Sequence, residues 1–221
     1  MLFDAVRVFI EYFPVFMTGL KGTLYLAFIA VFFGTILGMF IAFLEMSKSK
    51  PLNIIARVYI ELLRGTPLLV QLYISYYFIP MAIPILNVFS AETFIIFALV
   101  LNSSAYVSQI IRSGIGSVDK GQTEAARSLG MTSYNCMKNI IMPQAIRNIL
   151  PALGNEYITM VKETSLAAVL MVNELMFVRT ILANHFLLWQ PLFGIAFIYL
   201  IVNMVLSFLV RLMEKRLSVY A

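Results

Sequence analysis

Four stretches of this chain run too long without a formal charge to fold in water. Gly22–Leu44 spans 23 residues, Gly65–Ala91 spans 27, Thr93–Ile111 spans 19 and Thr180–Val210 spans 31. A helix needs roughly 20 apolar residues to cross a bilayer, and hydrocarbon tolerates only structures that satisfy their own backbone hydrogen bonds. A soluble domain would carry about 25% charged residues, whereas this chain carries 12%. The expectation is an all-α integral membrane protein, one transmembrane domain over residues 1–221. A fifth span is read over 148–178, which is mostly apolar but holds Glu156, Lys162, Glu163 and Glu174. Charges at that depth face a bundle interior or a water-filled cavity.

The opening "MLFDAVRVFIEYF" mixes charge with aromatics and lacks the pattern of a cleavable signal peptide. Residues 1–18 read as an amphipathic segment lying at the membrane interface. The single Cys136 permits no intrachain disulfide and reads as a reduced, inert thiol.

A net charge of +5 could signal nucleic acid, so the distribution of the charge matters. With five alternating spans and the N-terminus outside, one side holds Lys48, Lys50, Arg57, Arg64, Arg112, Lys120, Arg127, Lys138, Arg147, Lys162, Arg211, Lys215 and Arg216. The other side holds only Arg7, Lys21 and Arg179, which completes the 16 basic residues. Cytoplasmic loops of membrane proteins carry such an excess. The charge is therefore topological, and no nucleic-acid partner is implied.

Residues 112–150 then form a cytoplasmic insert. Asp119 stands three before Gln122 as a weak capping box, and Gly130 suits the position just past a helix end. Thr132 is placed to cap a second helix that Pro143 would break. Glu124, Ala125 and Ala126 offer small side chains beside an acid, a surface that another protein can approach closely. Elsewhere, Gly34 and Gly38 form a G-x-x-x-G pair, which either permits close helix approach or reflects how common glycine is in membrane helices. Thr66 is expected to cap the second span with Pro67 at its first position, and Pro80 and Pro84 to end it.

Two spans carry polar stripes. At about 100° per residue, Asn102, Tyr106, Gln109 and Ser113 fall within about 60° of arc. Every polar group of "NEYITMVKE" falls on about one third of its helix. Such stripes either glue helices together or line a hydrophilic path. A Glu–Lys pair kept only for structure is expensive to desolvate, which favours the path.

Nucleotide-hydrolysing and metal chemistry have no support. The Gly-Lys dipeptide of a phosphate-binding loop never occurs, and one His (His185) with one Cys makes no metal cluster. No nucleophile-elbow context surrounds any serine. Five spans without an internal repeat argue against a self-contained secondary transporter. A pathway shared between two copies or two related chains is the economical arrangement. A passive channel or an ion-coupled carrier is the alternative class, and so is a non-transporting half of a heterodimer.

The segments "ELLRGTPLLVQ", "AYVSQIIRSGI", "GQTEAARSLGM", "MPQAIRNILPALGN" and "VKETSL", in that order, resemble the polar amino-acid permeases among ATP-binding-cassette importers. The likeness extends from about Gly19 to Arg216. It implies a type I importer permease fold of five transmembrane helices in the bacterial cytoplasmic (inner) membrane, N-terminus outside and C-terminus cytoplasmic. The implied partners are two copies of an ABC ATPase, a second permease copy, identical or homologous, and an external solute-binding protein. ATP and Mg would reside on the ATPase, with no cofactor on this chain. The likeness makes Gln122, Glu124, Ala125, Ala126 and Gly130 the residues that couple to the ATPase. It makes Glu156, Lys162 and Glu163, followed by Thr164 and Ser165, the substrate-facing residues, with Asn102, Ser103 and Tyr106 opposite. Two acids against one base lean toward arginine or lysine, with glutamine and cystine as alternatives. One departure stands out: similar proteins often carry Glu where this chain has Gln109.

Overall fold

The computed structural model describes residues 2–183 and 189–218. His185 lies outside the described residues. Those described form helices and connecting turns, with no strand among them.

A short amphipathic helix, α1 (Leu2–Glu11), leads into the long α2 (Phe13–Glu45). At 33 residues α2 measures about 50 Å, longer than a bilayer core of about 30 Å. Its two faces invert the soluble rule. Phe28, Phe32, Phe33, Phe40 and Phe43 are exposed, while Thr23, Ala27, Ala30, Gly34 and Gly38 are buried. Lipid offers no hydrophobic drive for helices to associate, so small residues and hydrogen bonds make the interior face. That face packs against α6 (Ala91–Gly116). A Cβ on Gly34 would stand 2.8 Å from Ser103, and one on Gly38 would stand 2.8 Å from the Ser104 carbonyl. The G-x-x-x-G pair is thus a true close-approach seam.

Between these helices, α3 (Lys50–Gly65) is amphipathic and lies along α2 and α6. Tyr59 reaches Ser104 Oγ at 2.6 Å. The next segment departs from the expected single span. It comprises α4 (Leu68–Tyr73), a π turn (Ile74–Phe78), α5 (Ile79–Ala82) and a 3-10 turn at Pro84–Val88. Thr66 does not cap it. Its hydroxyl bonds back to Leu62 O at the end of α3, and Pro67 takes the cap position instead. Pro80 does not end the helix either, nor does Pro143 break the later one. A five-residue π turn precedes each, Ile74–Phe78 before Pro80 and Met137–Ile141 before Pro143. The wider turn relaxes the hydrogen-bond ladder where a residue lacking an N–H must enter, so the chain continues helically through both.

Beyond α6 come α7 (Lys120–Ser128), α8 (Ser133–Cys136) and α9 (Met142–Glu163). The expected span over 148–178 stops short. α9 gives way to a 3-10 turn (Thr164–Leu170), and the chain reverses at Met171, a non-glycine residue at φ 60°. A return loop then runs against α2 so tightly that a Cβ on Gly22 would stand 2.1 Å from Asn173 O. After α10 (Val178–Leu182), the last apolar helix is α11 (Trp189–Ser218), so the expected run from Thr180 is divided between them. Three described helices are long and apolar enough to cross a membrane: Phe13–Glu45, Ala91–Gly116 and Trp189–Leu217.

Candidate functional site: a polar interior and an exposed helix

Three carboxylates are buried among the described residues, and the protein satisfies them unequally. Glu45, the last residue of α2, accepts from Gln109 Nε2 at 2.7 Å and from Arg112 Nη1 at 2.8 Å. The Asn53 amide of α3 donates to the Glu45 backbone carbonyl, so the node joins α2, α3 and α6. It also explains Gln109. An amide donates to Glu45, whereas a carboxylate there would set two acids side by side.

Glu174 sits in the return loop. It accepts from Phe177 N at 2.7 Å, from Tyr199 OH at 3.1 Å and from Thr23 Oγ1 at 3.2 Å. The loop is thereby fastened to α2 and α11.

Glu156, 8% exposed on α9, receives one hydrogen bond among the described residues, from Ser103 Oγ on α6 at 3.0 Å. An ionised carboxylate has about four acceptor sites, so most of its capacity is open. Asn102 stands next to Ser103 and donates to Gln71 Oε1 at 3.0 Å. Its own buried Oδ1 has no partner among the described residues. Gln71 in turn donates to Leu63 O at 2.7 Å and to Thr66 Oγ1 at 2.9 Å, which holds the bend between α3 and α4.

The remaining expected residues separate. Glu163 shares the face of Glu156 two turns along, about 10 Å away, and is half-buried. Lys162 is exposed, and no ion pair joins it to either acid among the described residues. A structural Glu–Lys pair is therefore absent from this part of the bundle. Thr164 and Ser165 bond to carbonyls of their own helix, Val161 O at 2.9 Å and Lys162 O at 2.6 Å. They close the end of α9 instead of presenting free hydroxyls.

The α6 stripe divides as well. Asn102 turns to Gln71, while Tyr106, Gln109 and Ser113 line a cavity of about 400 Å³ together with Arg64 from α3 and Asn148 from α9. The Arg64 guanidinium lies over the Tyr106 ring, 5.1 Å from its centroid. Sequence reasoning missed the roles of Glu45, Arg64 and Gln71. Each lies on an element whose partner is remote along the chain, so no local pattern reveals it.

At the end of the bundle near Glu45, α7 presents an exposed face. The Asp119 carboxylate caps it, accepting from Gly121 N at 2.7 Å. Its C-terminus closes in a Schellman motif: Met131 N donates to Ala126 O at 3.1 Å and Gly130 N to Arg127 O at 3.0 Å. Gly130 adopts φ 80°, a conformation that favours glycine. Thr132 caps α8 as expected. Gln122, Glu124 and Ala125 are exposed, whereas Ala126 is buried. Ala126 belongs to a buried cluster with Cys136 and Ile141, so it anchors α7 to α8 and the π turn Met137–Ile141 and does not lie on the open face. Leu129, 85% exposed, completes that face. A leucine so placed at the end of a polar helix was the available signal, and the sequence reading passed over it.

Apolar helices around a polar interior, with a rigidly mounted water-facing helix at one end, define the membrane subunit of a transporter whose motor is a separate protein. The chain belongs to the family of binding-protein-dependent transport system inner membrane components, whose model matches residues 34–219. It is 39% identical over 218 residues to a putative glutamine transport system permease protein of Rickettsia felis, covering 95% of this chain and 97% of that one. The glutamine transport system permease protein of Escherichia coli is 34% identical over 207 residues, covering 93% and 94%. Among solved structures, an amino acid ABC transporter with histidines matches at TM-score 0.87 and 44% identity, covering 94% of this chain and 96% of that one. The chain is the membrane-embedded permease of an amino-acid ABC importer, and ATP hydrolysis resides on a separate subunit.

Proposed function

We propose that this permease imports glutamine, on a path that runs from Glu163 past Glu156 and Ser103 to the Tyr106 cavity. The observation that carries the path is the open acceptor capacity of Glu156. A buried carboxylate with one protein donor is costly to desolvate unless a cation or further donors arrive, and an amino-acid ammonium is both. Asn102 supplies a second open acceptor beside it. Lys162 and Glu163 flank the approach. Glutamine is favoured because relatives matched over nearly their whole length are named as glutamine transport system permease proteins, that of Rickettsia felis as a putative one. A second reading, a basic amino acid, is favoured by the two acids on α9 and by the histidines in the 44% identical transporter. Thermal stabilisation of the purified complex separates them, since a ligand that binds only the folded state raises its stability. Glutamine should raise the melting temperature more than arginine, lysine, histidine or cystine. A larger shift with a basic amino acid overturns the glutamine reading.

The assembly proposed around the chain has a second permease copy, two ATPase subunits carrying ATP and Mg, and an external solute-binding protein. Residues 1–221 act as one membrane domain that crosses five times, with residues 1–18 at the outer interface and 112–150 inside. The α4–α5 segment and α9 are the two crossings not made by long apolar helices. The exposed face of Gln122, Glu124, Ala125 and Leu129 docks on the ATPase, and Ala126 passes the motion inward. The topology rests on the thirteen-to-three division of basic residues. A Lys120→Cys variant should resist an impermeant thiol reagent in intact cells and react after permeabilisation, with little background from the buried Cys136. Labelling of intact cells overturns this orientation.

A further inference from the structure

We infer that Arg64 is the carboxylate anchor of the translocation path on the α7 side of Glu156, the cationic counterpart to the acids of α9. This rests on the proposed path for an amino-acid substrate. A zwitterion needs both signs, and the bases of α9 are Arg147, which has an interaction of its own, and Lys162, which lies toward the far end of the helix from the cavity. The cavity beside Tyr106 has the opposite character from the Glu156 region. Its polar lining is Arg64, Tyr106, Gln109, Ser113, Ser117 and Asn148, with no carboxylate among them.

Arg64, exposed on α3, is the cation that lines this cavity. Arg112 is neutralised by Glu45, which also takes the Gln109 amide. Arg64 pairs with no carboxylate among the described residues, including Glu61 one turn earlier on α3. Stacking over Tyr106 orients the guanidinium plane without neutralising it. A planar fork held in this way matches a carboxylate with two parallel hydrogen bonds, which a lysine ammonium cannot do. The cavity of about 400 Å³ has room for an amino acid and a few waters.

The α6 and α9 helices run antiparallel, with Ser103 opposite Glu156 and Ser117 bonded to Asn148 at 2.8 Å. The cavity, which reaches Ala152 one turn before Glu156 on α9, therefore continues the path toward the end that carries α7. An amino acid whose ammonium sits at Glu156 would extend its carboxylate toward Arg64, and release on the α7 side would follow along Ser113 and Asn148.

The test compares glutamine with 4-aminobutanamide, the same molecule without its carboxylate, by direct binding to the purified permease–ATPase complex. Arg64→Gln should weaken glutamine at least tenfold and change 4-aminobutanamide less than twofold. Arg64→Lys should recover part of the loss, and Tyr106→Leu should weaken glutamine in the same selective way. Equal weakening of both ligands, or of neither, by Arg64→Gln overturns the anchor and leaves the path standing. If the wild type binds arginine in place of glutamine, the glutamine reading fails and Arg64 is judged by arginine against agmatine. A wild type that binds no amino acid overturns both.

Discussion

A Gly130→Pro variant should insert and assemble normally yet hydrolyse ATP only at the unstimulated rate, with no uptake. Gly130 holds φ 80° and donates its N–H to Arg127 O, while the next N–H, that of Met131, reaches Ala126 O. Proline fixes φ near −65° and has no N–H, so both bonds of the motif are lost together. The buried anchor Ala126 and the exposed Leu129 then lose their fixed relation, and a push on α7 no longer reaches α8 and the π turn that leads into α9. The clusters around Leu99 and around Leu175 do not include α7, which is why the bundle itself should survive. Glu124→Lys, a change on the exposed face alone, should give a milder form of the same defect. Purified complexes in proteoliposomes, assayed for hydrolysis with and without loaded binding protein, provide the check. Stimulated hydrolysis at the wild-type rate in Gly130→Pro would remove α7 from the coupling route.

The buried acids divide by the same logic into two kinds. Glu156→Gln should lower uptake at least tenfold with little loss of stability. The glutamine carbonyl still accepts from Ser103, so the α6–α9 contact persists. What disappears is the charge that would meet an ammonium, and a hydrogen bond to a charged group is worth about 1.5–3 kcal/mol, where about 1.4 kcal/mol is tenfold. Glu174→Gln should do the reverse. Its two oxygens already serve Phe177 N, Thr23 and Tyr199, and an amide NH₂ in place of either oxygen would face donors. The melting temperature should fall, and uptake should fall only in proportion to folded protein. Uptake normalised to assembled complex, with melting measured alongside, separates the pair. Wild-type normalised uptake in Glu156→Gln would show that the substrate bypasses this acid.

The amino-acid sequence by itself determined that this chain is helical and membrane-embedded, because uncharged runs of this length leave the backbone no other solution in lipid. It also determined the ends of α7 and the start of α8, since Asp119, Gly130 and Thr132 act on backbone groups within three or four residues of themselves. The polar stripes were legible as faces of helices for the same reason. Only the tertiary structure decided what those faces meet. Asn102 and Tyr106 share a stripe, yet one is turned to Gln71 and the other lies beneath Arg64. Glu156, Glu45 and Glu174 are alike in sequence as acids in apolar surroundings, but each takes a side-chain donor from far along the chain, 53, 64 and 151 residues away. The prolines show the limit from the other side. Pro80 and Pro143 carry a strong local tendency to end helices, and a π turn before each absorbs the missing donor so that both helices continue. Local chemistry sets the ends and faces of a helix, whereas a buried charge takes its role from whichever donors the packing brings within about 3 Å of it.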